Sequence, residues 1–267
     1  LGQGLDVRTW LQNGSLDFVV PMRYGYMILD PDMPTDWLLD AAHAGGVSFF
    51  GCLQPYVDDQ NTGAPVRQFP SSEQMRAAVA NQWRKGADGL YTWFMDWPLG
   101  DAQRSMLSEM GDPDLGARKN RQYVLARTPE EDHLHYRSPL PVRIAADDIG
   151  TRHPVPFFIA DDIEGAGDQI SEVLLEIVVT DLVSADRLAI LLNGESLQNE
   201  ACRRGFGDAI NRYGAQSLTF DLRGVRPRKG DNLLEISLEG RAGGLAGTLV
   251  VGEVKITVNY HPFPARL

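Results

Sequence analysis

The chain has 267 residues, of which 43% are apolar and 23% are charged, the composition of an ordinary globular protein. Its formal net charge of −11 opposes contact with nucleic acid or an anionic membrane surface, so neither is predicted as a partner. No stretch approaches the roughly 18 consecutive apolar residues of a membrane-spanning helix. The two cysteines, Cys52 and Cys202, fall in different parts of the chain, which favours free thiols over a disulfide scaffold.

The first 110 residues alternate between helix and strand patterns. Alternation of this kind predicts parallel strands joined by crossover helices, and the continuously apolar strands fit a sheet that is buried on both faces. Long loops follow the strands and short glycine turns precede them, which indicates that function lies at the carboxyl ends of the strands. The predicted helices cover 6–13, 36–44, 73–85 and 101–110, and the predicted strands cover 16–22, 47–53 and 89–95.

Three parallel strands are too few for a closed barrel, and an open sheet of three would leave two edges and much apolar surface uncovered. We therefore expect residues 1–110 to form the last three βα units of a (β/α)8 TIM barrel. The missing N-terminal half of that barrel would lie upstream or in another chain, as a required partner.

After about residue 126 the helix patterns stop and short strands recur between turns. Alternation is clear in residues 218–222, and Asn193-Gly194 is a strong signal for a tight turn. An antiparallel, jelly-roll-like β-sandwich is predicted. Its strands are expected at 141–147, 155–160, 170–180, 186–193, 216–222, 232–239 and 247–260. The fold class is thus α/β plus all-β, with a partial barrel over 1–126, a linker over 127–139 and the sandwich over 140–267.

Several segments resemble a known family. Residues 4–22, GLDVRTWLQNGSLDFVVPM, resemble the strand-6 region of bacterial glycoside-hydrolase-like barrel proteins, often called family 10-like hypothetical glycosyl hydrolases. Residues 87–97 are similar to their strand 8, and residues 107–115, with Lys119 and Tyr123, are similar to segments that follow the barrel. The resemblance covers about residues 1–125. It implies a barrel that acts on a polysaccharide or glycan by hydrolysing glycosidic bonds.

The sandwich carries a second resemblance. Residues 187–194 and 230–236 resemble accessory sandwiches of glycoside hydrolases. This implies a module that binds carbohydrate or has a purely structural role, and a structural role is favoured because the module has few aromatic residues.

Asp96 is the predicted catalytic carboxylate. It ends a predicted strand between Met95 and Trp97, where apolar neighbours would raise its pKa as a general acid requires. The alternative is that Asp96 caps the turn that follows. Glycoside hydrolases use a pair of carboxylates, and the second is expected outside this chain.

The predicted substrate-binding residues also lie at strand ends. Sugars stack their apolar C–H faces on aromatic rings, and polar side chains bind their hydroxyl groups. The alternatives are that Trp93 belongs to a barrel core, that the tyrosines anchor loops, and that Arg23 and Gln54 are ordinary polar residues of a rim. The set is Arg23, Tyr24, Gln54, Tyr56, Trp93 and Trp97.

No metal or other cofactor is predicted. Four loop acids could bind Ca²⁺, although solvated turn residues are the better interpretation, and the pair His133 and His135 lacks a third ligand. Cys52 is expected to be a small core residue. Nucleotide-binding glycine motifs and the nucleophile elbow of serine hydrolases are absent from the sequence. The loop acids are Asp30, Asp32, Asp58 and Asp59.

Three functions follow as hypotheses. The first is a glycoside-hydrolase-like enzyme, the second a carbohydrate-binding protein without catalysis, and the third a structural subunit that uses the sandwich as an interface. A second carboxylate about 5–10 Å from Asp96 would favour the first, and aromatic residues lining the cleft without one would favour the second. A periplasmic or extracellular location is considered.

Overall fold

The structure is a computed structural model that describes residues 5–22, 28–57, 68–93, 95, 97–125, 138–206 and 215–262. It contains five short α-helices, and 39% of it is strand, so the fold is mainly β. In the described part of the chain, no helix is long and apolar enough to cross a membrane.

Helices and strands alternate in the first part. The three strands form one parallel sheet in the order β1-β2-β3, with Phe18 paired to Ser48 and Phe50 paired to Gly89. The elements are α1 Val7–Gln12, β1 Phe18–Val19, α2 Asp36–Ala44, β2 Ser48–Leu53, α3 Ser72–Lys85, β3 Gly89–Thr92 and α4 Asp101–Met110.

The sequence carries clear capping signals at both ends of helix α3. At its start the Ser71 side chain accepts the backbone N–H of Gln74, and the Gln74 side chain accepts the backbone N–H of Ser71, which is a capping box. At its end Gly86 has a φ of +103°, a conformation that glycine adopts without steric cost. The helix therefore begins directly after the Ser71 cap and ends directly before Gly86.

One face of the parallel sheet packs on the helices. Phe49 and Leu53 of β2 point to this face and are buried in two adjoining apolar clusters. Gly51 lies between them, and a Cβ atom there would overlap the Gln82 side chain of α3. The glycine therefore allows α3 to approach the strand closely.

The second part consists of two antiparallel sheets. One has the strand order β10-β11-β7-β13-β4, with β5 also paired to β13, and the other has the order β6-β12-β8-β9. The elements are β4 Arg121–Val124, β5 Val142–Ile144, β6 His153–Ile159, α5 Ile163–Ala166, β7 Ile170–Thr180, β8 Arg187–Leu192, β9 Glu195–Ser196, β10 Ala201–Phe206, β11 Gln216–Asp221, β12 Gly230–Gly240 and β13 Leu249–Tyr260.

The two antiparallel sheets share one apolar interior. Ile177 and Val254 from the larger sheet and Ile236 from the smaller sheet are all fully buried in the same cluster. Burying an aliphatic side chain of this size contributes roughly 1.5–3 kcal/mol relative to leaving it in water. The sheets therefore stack face to face as a sandwich.

The parallel sheet and the sandwich are joined through α3 and β4. Residues 121–124 of β4 pair antiparallel with β13, although they directly follow the first part in sequence. Ala77 of α3 lies in the sandwich core. The Asn81 side chain donates to the backbone carbonyls of Pro31 and Phe158, each at 2.9 Å. The two parts consequently share buried contacts.

The predicted TIM barrel is wrong. A (β/α)8 barrel closes eight parallel strands with a helix after each, whereas the described residues form five short helices and pair most of their strands antiparallel. The strand after α4 is β4, which joins the sandwich and does not extend the parallel sheet. The predicted linker, 127–139, lies mainly outside the described residues, so the predicted division into domains stays a prediction.

Candidate functional site

The described residues include four of the seven predicted site residues. The catalytic prediction, Asp96, lies outside them, as do Arg23 and Tyr24. Asp58, Asp59, His133 and His135, the other ligands considered, also lie outside the described residues.

Gln54 and Trp93 come together at the carboxyl ends of β2 and β3. They follow the paired residues Leu53 and Thr92, and the backbone N–H of Trp93 donates to the Leu53 carbonyl at 3.3 Å. Gln54 is buried and Trp93 is half-buried. This pair lies on the sheet face opposite the helices.

Tyr56 and Trp97 occupy different surroundings. The Tyr56 ring packs against Phe69 with their centroids 5.6 Å apart, and the Tyr56 carbonyl accepts the backbone N–H of Leu29 at 2.6 Å. Trp97 is 81% exposed. Tyr56 thus anchors a loop contact, while Trp97 offers its indole ring to solvent.

The face of the parallel sheet opposite the helices is rich in aromatic rings. Phe18 and Phe50 meet edge to face with centroids 5.6 Å apart, and the centroids of Tyr91 and Trp93 are 6.4 Å apart. Strand pairing and alternation place eight residues here, and we call them the aromatic sheet face. They are Phe18, Ser48, Phe50, Cys52, Gln54, Gly89, Tyr91 and Trp93.

This face is partly open to solvent. Phe18 is 58% exposed and Tyr91 is 45% exposed, whereas Phe50 is half-buried between them. A Cβ atom at Gly89 would overlap the Phe50 ring, so the glycine allows that ring to lie across β3. The result is an accessible surface built from rings that their neighbours hold in place.

The aromatic sheet face carries no formal charge among its eight residues. Burial raises the pKa of the Cys52 thiol to about 11, so the thiol is protonated at neutral pH and is not a nucleophile. These residues can stack on a ligand and exclude water from it, but they include no acid–base pair.

Phe18, Phe50 and Tyr91 were not among the predicted site residues, because the barrel interpretation treated such positions as interior core. Their two-residue spacing within each strand could have placed them on one face with Gln54 and Trp93. The exposure of Phe18 and Tyr91 has no signal in the sequence, since it depends on what packs against the sheet.

The remaining candidate ligands that the structure describes have structural roles. Asp30 accepts the backbone N–H of Asp32 at 2.8 Å, and Asp32 pairs with the Lys85 ammonium at 2.6 Å. Burial raises the pKa of Asp32, and Lys85 opposes that effect. Across the described ranges, no group of three or more His, Cys, Asp or Glu side chains could hold a metal ion.

No protein-family model matches the sequence, and no curated protein matches it either. The resemblance to glycoside-hydrolase-like proteins therefore stays an expectation that rests on the quoted motifs.

Proposed function

We propose that this chain binds a neutral carbohydrate on the aromatic sheet face. The observation that carries the proposal is the exposure of the Phe18 and Tyr91 rings, 58% and 45%, beside half-buried Phe50 and Trp93. Exposed aromatic clusters of this kind are typical of binding sites, since water contact with large rings costs free energy.

The chemistry of the face favours a sugar. A pyranose ring has an apolar C–H face and a polar rim, and it can stack on an aromatic ring while its hydroxyl groups stay in water. The face carries no formal charge, so it offers no counter-charge to an acidic or basic ligand. The ligand class that fits is therefore an uncharged oligosaccharide or polysaccharide.

The proposed activity is binding of the carbohydrate without its hydrolysis. Hydrolysis of a glycosidic bond requires two carboxyl groups that flank the bond about 5–10 Å apart, and the eight residues of this face include none. We expect no release of reducing sugar from a bound polysaccharide.

Affinity electrophoresis tests the proposal. The protein is run through gels that contain cellulose derivatives, xylan, mannan, starch or β-1,3-glucan, with pectin as an acidic polymer. At least one neutral polymer should retard it. Tyr91→Ala should weaken that retardation about fivefold, equivalent to about 1 kcal/mol for loss of one stacking ring.

Phe206→Ala is the matched control, because Phe206 is also an exposed aromatic residue, 88% exposed, but lies in β10 of the sandwich. It should bind as the unsubstituted protein does. Retardation by no neutral polymer, or equal retardation of the Tyr91→Ala and Phe18→Ala variants and the unsubstituted protein, would overturn the proposal. Far-UV circular dichroism confirms that each variant is folded.

A further inference from the structure

A second cleft lies where α3 and α4 meet the sandwich. Its volume is about 380 Å³, within the usual range for a small-molecule site of roughly 300–1,000 Å³. It is lined by α3 and α4, by the turn after α4, by Arg121 of β4 and by Ala160 and Lys229 of the sandwich. None of its lining residues belongs to the aromatic sheet face.

One wall of the cleft is apolar and rigid. Val79, Trp83, Met106 and Met110 line it. The indole N–H of Trp83 donates to the Met110 carbonyl at 3.0 Å, which fixes the plane of the ring between the two helices. This wall suits the flat apolar body of a ligand.

Four other lining residues of the cleft are basic. Arg76, Arg84, Arg121 and Lys229 line it, although the whole chain has a net charge of −11. Among the described lining residues Glu109 is the one carboxylate. It pairs with both Arg76 and Lys119, each at 2.7 Å. Outside the lining, Asp161 pairs with Arg121 and Asp162 lies 3.4 Å from Lys229, so Arg84 is the one lining cation without an ion pair among the described residues.

Arg121 is the most buried of these cations, at 8% exposure. Its guanidinium donates to Asp161 and, at 2.7 Å, to the Gly116 carbonyl. Its Nε–H is buried and has no hydrogen-bond partner among the described residues. A buried guanidinium donor without a partner costs free energy. Arg121 also lines the cleft, and an anionic group is the type of ligand that a guanidinium binds best.

We infer that this cleft binds a small molecule with a flat apolar body and one anionic head, a carboxylate or a phosphate ester. The body lies against Trp83 and the two methionines, and the head lies among Arg84, Arg121 and Lys229. The inference does not depend on carbohydrate binding, because the two sites share no residue.

Isothermal titration calorimetry with simple ligands tests this site. Phenyl phosphate and benzoate carry the two candidate heads on the same ring, and benzyl alcohol and benzylamine are the neutral and cationic controls. At least one anion should bind in a saturable manner, about tenfold or more tightly than benzylamine. Tighter binding of phenyl phosphate would identify a phosphate ester as the ligand, and tighter binding of benzoate would identify a carboxylic acid.

Two sets of variants assign the binding to the cleft. Arg84→Gln with Lys229→Gln removes two exposed cations of the lining and should weaken anion binding at least about tenfold. Arg226→Gln with Arg228→Gln removes the same charge from exposed residues outside the lining and should leave binding unchanged. Ala80→Glu places an acid in the cleft on a helix that tolerates glutamate, and it should abolish binding.

The inference fails if neither anion binds at millimolar concentration or if benzylamine binds as tightly as the anions. It also fails if the Arg84/Lys229 variant binds as tightly as the Arg226/Arg228 variant. Polysaccharide retardation should be the same in all of these variants, which separates a failure of the cleft from a failure of the aromatic sheet face.

Discussion

Asp161 holds a buried polar network at the junction of three strands. Its fully buried carboxylate accepts hydrogen bonds from the Arg121 guanidinium and, each at 2.6 Å, from the hydroxyls of Tyr123 and Tyr260. Burial and the negative charge of Asp161 raise the pKa of both tyrosines above the ordinary value, so they stay protonated and act as donors. The network joins the end of β6 to β4 and β13.

We predict that Asp161→Asn strongly destabilises the protein. The amide keeps the size of the carboxylate but leaves the Arg121 guanidinium buried without a counter-charge, which costs about 3–5 kcal/mol. Urea unfolding measures the loss as a lower transition midpoint. Glu164→Gln, an equivalent change at an exposed residue of α5, should leave the midpoint nearly unchanged. Similar midpoints for the two variants would contradict the prediction.

Glu109 should make stability depend on pH in the acid range. Burial alone would raise its pKa, but hydrogen bonds from Arg76 and Lys119 outweigh burial and hold the pKa below its ordinary value of 4.5. Because the folded pKa is the lower one, the stabilisation is complete above 4.5 and is lost as the pH falls through the folded value. We expect the protein to lose more stability between about pH 6 and pH 3 than Glu109→Gln does.

Urea unfolding at several pH values measures that difference, and Glu73→Gln is the control. Glu73 lies 3.8 Å from the same Arg76 but its side chain is 44% exposed, so solvent screens its pairing. Its variant should follow the pH dependence of the unsubstituted protein. Parallel curves for the unsubstituted protein and Glu109→Gln would show that Glu109 contributes nothing in this range.

The role of a residue could be predicted from the sequence where it depends on neighbouring residues, and could not be predicted where it depends on distant ones. The Asn193-Gly194 turn between β8 and β9 was predicted because a tight turn depends on a few neighbouring residues. Asp161 was not identified, since its partners lie 38 to 99 residues away in sequence. Its role exists only after three strands have come together.

At the scale of the element, the capping box of α3 gives a direct prediction. Ser71→Ala removes the side chain that accepts the Gln74 N–H, and loss of such a cap costs about 1 kcal/mol. Thermal or urea unfolding should show this decrease in the free energy of unfolding. Ser72→Ala, one residue further on and inside the helix, should have no such cost because alanine has the higher helix propensity. Equal losses would contradict the capping role.

Elements with a clear buried face were predictable, and elements without one were missed. Helices α2 and α4 begin and end at the predicted residues, and β7 spans the predicted 170–180. Strand β10 was missed because all six of its residues are exposed, so its sequence ACRRGF has no apolar alternation. Strand β4 was missed because it has four residues and its partner strand lies far along the chain.

At the scale of the whole molecule, the barrel prediction failed because closure is not a local property. The helix–strand alternation does produce the parallel order β1-β2-β3. The number of strands that join a sheet depends on where the next strand goes. Here β4 pairs with β13, so that Tyr123 lies opposite Ile256. The pattern of residues 1–125 holds no information about that partner.

The same connection predicts that the parallel sheet and the sandwich unfold together. All five tryptophans lie in the first 97 residues, so tryptophan fluorescence reports on the α/β part, whereas pulsed amide hydrogen exchange of peptides from β7 and β13 at each urea concentration reports on the antiparallel sheets. Because α3 contributes Ala77 to the sandwich core and Asn81 joins Pro31 to Phe158, neither part can lose its structure without exposing buried groups of the other. The two urea unfolding curves should therefore superimpose.

The variant Asn81→Ala provides a second test of cooperative unfolding. Asn81 is fully buried, and its loss leaves two backbone carbonyls without their donor, one in each part, at a cost of about 1–3 kcal/mol. If the parts form one cooperative unit, both curves shift to lower urea by the same amount. If the parts were independent, the fluorescence and hydrogen-exchange midpoints would separate in the variant, or already in the unsubstituted protein. Because β4 is hydrogen-bonded to β13 along four residue pairs, we expect a single transition in both.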